Sequence, residues 1–194
     1  MNIQITNDFI TELISRLESI GVSTNDIVCI LHGGSSLYLD NYSDIDLKVI
    51  VKRHNPYAKE EMSFNIQNMK VDCCYHTVNE WNSVLSKDRS YYVCESVDMK
   101  KVIGNDTQLK RYDCVKDIEV RKHLIDVYDK HLFGAEADFE EKRLWNFLLF
   151  YFKCENKSHR LTQKQLKILQ KAHDLKYSKT MFKDYFNKLK GEIL

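Results

Sequence analysis

The chain has 194 residues, enough for one core with an appendage but not for two large domains. With 43% hydrophobic and 29% charged residues it has a globular composition rather than a disordered one, and no apolar run approaches the roughly 20 residues that span a bilayer. The net charge of +1 hides an asymmetry: Lys153 to Leu194 carry 11 basic and 4 acidic residues, a balance of +7, which leaves −6 on the first 152. The polar start, Met1 to Asp8, lacks a signal-peptide pattern, and the expected location is cytoplasmic.

In chain order, Ile10, Leu13, Ile14, Leu17 and Ile20 recur at helical spacing, so residues 8 to 20 are predicted as a helix, capped by Asn7 and closed by Gly21. The run Ile27 to Leu31 reads as a buried strand, broken by the turn His32-Gly33-Gly34-Ser35-Ser36. Residues 44 to 52 alternate. Ile45, Leu47, Val49 and Val51 point one way, and Asp44, Asp46 and Lys48 the other. Pro56 falls in a loop before a third strand, Met69 to His76. There Val71, Cys73 and Tyr75 share one face, and Lys70, Asp72, Cys74 and His76 the opposite one. A short helix over 79–87 and a last short strand over Lys101–Ile103 follow.

From about Asp106 only helical signals remain. They predict one helix from Asp117 to Phe133, stopped by Gly134, and a second opened by an Asp138/Glu141 capping box and running to Asn156. A third is opened by Thr162 with Gln165, stapled by Leu161 and Leu166, and a last one covers 179–190. The expected organisation is a core over residues 1–105 and a helical domain over 106–194. The fold class is α+β, a mixed β-sheet with flanking helices followed by a helical bundle. The six cysteines show no CxxC pair or zinc spacing, and Cys29 and Cys73 read as small core hydrophobes.

The chemistry concentrates in three short segments. Glycines after a strand let the backbone approach a phosphate closely, because no Cβ intervenes, and a helical turn beginning at Ser36 would add N–H donors with the Ser35 hydroxyl beside them. Asp44 and Asp46, two residues apart on a strand, project from one face, and their mutual repulsion is relieved when a cation lies between them. Mg²⁺ favours carboxylate oxygens together with phosphate oxygens, and a pair of such ions would clamp an in-line phosphoryl displacement. Asp72, on the polar face of the third strand, would complete the set.

His32-Gly33-Gly34-Ser35, Ser43-Asp44-Ile45-Asp46-Leu47 and Val71-Asp72-Cys73 together resemble the DNA polymerase beta-like nucleotidyltransferase superfamily, in particular its minimal bacterial and phage-type members. The resemblance covers about residues 27 to 76. It implies a nucleotidyltransferase-type sheet, and the transfer of a nucleotidyl group from a nucleoside triphosphate, ATP among the candidates, to an acceptor hydroxyl. Gly33, Gly34, Ser35 and Ser36 would hold the nucleotide. Asp44 and Asp46 would ligate two Mg²⁺ ions, with Mn²⁺ as a substitute, and Asp72 would ligate the catalytic one and help activate the acceptor. An arginine that many relatives carry just after the turn is replaced here by Ser36, Leu37 and Tyr38, so triphosphate charge must be met elsewhere; Lys48, Lys87 and Arg89 are the candidates.

Two other classes compete. An inactive or antitoxin-like scaffold would use the same fold to bind a protein partner, and a basic nucleic-acid-binding module would rely on the tail alone. His32, His54 and His76 read as isolated, satisfied residues, and Trp145, Phe147, Phe150, Tyr151 and Phe152 as helix-packing core rather than a base-stacking platform. Lys164, Lys167 and Lys171 recur at three- and four-residue spacing and can form one stripe. That stripe favours RNA as acceptor over a protein or a small molecule, with no membrane partner.

Overall fold

A computed structural model describes residues 5–53, 55, 61–87, 90–130, 141–174, 183–185, 187, 188 and 191. The chain divides into two units, one formed by residues 1–83 and 99–110 and the other by 84–98 and 111–194.

The first unit opens with helix α1 (Asn7–Ser19), whose cap is Thr6 and not Asn7: the Thr6 hydroxyl accepts a hydrogen bond from the Phe9 N–H. Gly21, at φ 89°, closes the helix as expected. Five strands follow, β1 (Ile27–Gly33), β2 (Ile45–Val51), β3 (Glu61–Ile66), β4 (Met69–Thr77) and β5 (Lys100–Gly104). They form one mixed sheet in the order β3-β4-β2-β1-β5, with β2 and β4 parallel and every other pair antiparallel.

The strand missing from the sequence reading is β3. It joins β4 through a two-residue turn, Gln67 and Asn68, both at positive φ (50° and 63°), the conformation whose twist suits a tight hairpin. The predicted alternation in β2 holds: Ile45, Leu47, Val49 and Val51 are completely buried. They pack with Val71, Cys73 and Tyr75 of β4 and with Phe9, Leu13 and Leu17 of α1 in a single apolar core. A substantial share of the unit's stability comes from this face, since each fully buried aliphatic or aromatic side chain contributes about 1.5–3 kcal/mol. After β4 the helix α2 (Val78–Asn82) is shorter than expected. It is opened by a Thr77/Glu80 capping box, and the residues beyond it form a tight 3₁₀ turn, Val84–Ser86.

The second unit contains α3 (Ile118–Tyr128), α4 (Glu141–Asn156) and α5 (Gln163–His173). Asp117 caps α3 by accepting from the Glu119 and Val120 N–H groups. Thr162 and Gln165 cap α5 reciprocally, as the sequence predicts. The aromatic run of α4 is core: Trp145, Phe147, Phe150, Tyr151 and Phe152 are all buried, and Tyr128 of α3 meets Phe147 and Phe150 with ring centroids 5.4 and 5.6 Å apart. Lys153 is also fully buried. Its ammonium donates to the carbonyl of Cys94 at 3.0 Å and to Asp98 Oδ2 at 2.5 Å. Asp98 in turn lies 4.0 Å from Nδ1 of His159, whose Nε2 is 2.8 Å from Asp113.

None of the six cysteines forms a disulfide. Among the described residues no helix is long and apolar enough to cross a membrane. The expected stop at Gly134, the Asp138 cap, His54, Pro56 and most of the predicted helix over 179–190 lie outside the described residues.

The architecture is therefore the expected mixed sheet with flanking helices, followed by C-terminal helices.

Candidate metal and nucleotide site

The site is assembled by strand register. In the parallel β2/β4 pair Asp46 stands directly opposite Asp72, and in the antiparallel β1/β2 pair Gly33 stands opposite Asp46. Gly33, Asp46 and Asp72 thus form one row across three neighbouring strands. Asp44 immediately precedes β2 and, two residues before Asp46, falls on the same side. All three carboxylates are half-buried, and each offers one oxygen so placed that the three oxygens lie within 4.8 Å of one another. These are hard oxygen donors in a number and spacing that could hold a metal ion.

A positive charge already sits among them. Lys70, on the same face of β4 as Asp72, places its Nζ 2.6 Å from Asp72 Oδ2 and 3.4 Å from Asp44 Oδ2. Ser63, on β3 opposite Asp72, donates its hydroxyl hydrogen bond to Asp72 Oδ1, and Ser43 donates to Asp44 Oδ1 at 3.0 Å. Burial pushes the Asp72 carboxyl up, but the bonds from Lys70 and Ser63 outweigh it and hold the group below its ordinary value. The hydrogen bond to Asp72 raises the Lys70 ammonium correspondingly. Asp72 is therefore ionised at neutral pH, the form a metal ligand requires.

Gly34 bounds the site on the β1 side. It has φ 76°, and a Cβ built there would fall 1.8 Å from Asp46 Oδ2 and 2.7 Å from Asp46 Cβ. Only glycine fits, both for its backbone conformation and for the space left by Asp46. Ser35 is buried and begins a short 3₁₀ turn, Ser35–Leu37, in place of the expected helix start at Ser36. The Ser36 hydroxyl faces back onto the sheet and lies 2.7 Å from Nε2 of His32. Burial, assisted by Lys100, lowers the His32 pKa to about 4, so the imidazole is neutral at pH 7.

No protein-family model matches the chain, and no curated protein matches it. Among solved structures, a nucleotidyltransferase-like protein from Exiguobacterium sibiricum 255-15 is similar, at 12% identity and a TM-score of 0.34, over 94% of this chain and 74% of that one.

Of the three residues expected to meet triphosphate charge, Lys48 is buried on the acid-bearing side of β2, opposite Leu31 and Cys74. Lys87 is exposed and belongs to the second unit, and Arg89 lies outside the described residues. His76, on the acid-bearing face of β4, packs edge-on to Trp81 with ring centroids 6.1 Å apart. The residues that sequence reasoning missed are Lys70 and Ser63. The signal for Lys70 was present, since it shares the polar face of its strand with Asp72. Ser63 could be found only by recognising β3 and its hairpin register.

Proposed function

We propose that this chain transfers a nucleotidyl group from a nucleoside triphosphate to an acceptor hydroxyl, with release of pyrophosphate. The observation that carries the reading is the convergence of Asp44, Asp46 and Asp72 beside the glycine turn that ends β1. In the reaction the acceptor hydroxyl gives its proton to water as its oxygen attacks the α-phosphorus, the bond from that phosphorus to the bridging oxygen breaks, and pyrophosphate departs with that oxygen.

Asp44 and Asp46 would hold both metal ions, and Asp72 the catalytic one. Bound there, Mg²⁺ or Mn²⁺ would neutralise phosphate oxygens and lower the pKa of the acceptor hydroxyl. Asp72, held on its strand by the Ser63 hydroxyl, would orient that hydroxyl. Gly33, Gly34, Ser35 and Ser36 would hold the triphosphate, the turn supplying backbone N–H donors and the serines their hydroxyls. Three carboxylates gathered within 4.8 Å of one another support chemistry over a scaffold role, because like charges drawn together destabilise a fold that has no use for them.

The direct test supplies each of the four radiolabelled triphosphates with Mg²⁺ and a cell extract, then separates RNA, protein and small molecules. Label should enter one fraction with the wild type and not with Asp46→Asn, while the far-UV circular dichroism of the two stays the same. Equal incorporation by wild type and variant would remove the reading.

A further inference from the structure

β4 presents Lys70 and Asp72 from one face, two residues apart. The Lys70 ammonium reaches two of the three carboxylates at once, through Asp72 Oδ2 and Asp44 Oδ2. Those two residues belong to the set of oxygens a divalent ion would need. An ammonium and a dication cannot both sit among them without strong repulsion, because like charges about 4 Å apart interact by several kcal/mol even at an effective dielectric constant near 20.

The Lys70 side chain is 47% exposed, so its head can leave for solvent while its stem stays anchored to the strand. Exposed ion pairs of this kind are weak and screened, so a dication can displace the ammonium. Until that happens the ammonium offsets the mutual repulsion of Asp44 and Asp72 and keeps them converged.

We propose that Lys70 is an internal counter-ion, which competes with the divalent metal for Asp44 and Asp72 and, once displaced, contacts phosphate oxygens of the incoming nucleotide. This rests on the nucleotidyltransferase reading above. The lysine thereby orders the site before metal arrives and supplies some of the positive charge that the turn after β1 lacks. Its two effects have opposite signs: it weakens binding of the metal alone and strengthens binding of the nucleotide to the metal-loaded protein.

The test uses the full chain as wild type, Lys70→Met and Lys70→Arg, with circular dichroism to establish that all three fold. Mn²⁺ binding without nucleotide is followed by electron paramagnetic resonance of the free ion. Lys70→Met should tighten Mn²⁺ by about threefold to tenfold, the scale of one or two exposed ion pairs, and Lys70→Arg, which keeps the charge, should not. At saturating Mn²⁺, non-hydrolysable analogues of the four triphosphates should bind Lys70→Met more weakly than wild type. If Mn²⁺ binds wild type and Lys70→Met equally, the counter-ion role is wrong and the metal site survives. If neither binds Mn²⁺, the metal site and the inference fall together.

Discussion

Gly34 presses its bare Cα against the carboxylate of Asp46, so closely that an added Cβ would overlap Oδ2 at 1.8 Å. The turn and the strand that carries Asp46 are therefore one object. Gly34→Ala must either move the turn or swing Asp46 away, and it also puts an alanine at φ 76°. The expected result is a loss of about 1–2 kcal/mol in denaturant unfolding, from the backbone conformation alone. The Mn²⁺-induced rise in Tm should be abolished in addition. A variant with wild-type metal response would show that Asp46 is not held by this packing.

Acidification should destabilise the first unit through His32. Its folded pKa of about 4 is below the unfolded value of 6.5, so the unfolded chain binds the extra proton first as pH falls. Stability contributed by the neutral imidazole is complete above pH 6.5 and is lost progressively down to about pH 4, by at most about 3 kcal/mol. His32→Gln should flatten that part of the stability-versus-pH curve, measured by urea titration between pH 7 and 4. An unchanged slope would mean that the ring does not lose its proton on folding.

In the second unit the Lys153–Asp98 pair should respond asymmetrically. The Lys153 side chain has no exposure, whereas that of Asp98 is 24% exposed. Asp98→Ala strips the carboxylate from a fully buried ammonium and is expected to cost about 3–5 kcal/mol. Lys153→Met fills the same space with an apolar chain and leaves a carboxylate that water can reach, so the loss should be smaller. Denaturant midpoints of the two variants decide the order.

The α5 lysines offer a test of the acceptor. Lys164, Lys167 and Lys171 are all exposed, while Gln165, Leu169 and Ala172 form the buried side of the helix. If RNA docks on this stripe, changing the three lysines to Gln should weaken its binding and reduce the slope of log K against log salt by up to about three units. Binding and slope unchanged from wild type would make the stripe a solvated surface only.

Much of the fold could be read from the residues, and the reasons are local. The alternation in β2 and β4 specifies which face carries acids, because a one-residue slip would put Asp46 or Asp72 into the apolar core. That constraint is why the convergence of Asp44, Asp46 and Asp72 could be anticipated from spacing. β3 escaped because its apolar residues, Met62, Phe64 and Ile66, are few and its turn, Gln67-Asn68, contains no glycine. With β3 unseen, the Ser63 bond to Asp72 had no basis. Thr6 displaced Asn7 as the cap because the helix begins one residue earlier than its apolar periodicity shows.

The parallel pairing of β2 with β4 has a consequence for the order of events during folding. Asp44 and Asp46 are two residues apart and share a face as soon as that segment is extended, but Asp72 reaches them only after the chain has passed over β4's place, formed the β3–β4 hairpin and brought its second arm back between β3 and β2. Such non-local closure is slow and comes late. The three-carboxylate cage consequently requires β4 in its place beside β2, so a divalent ion bound there would select for that pairing and act as a latch on it.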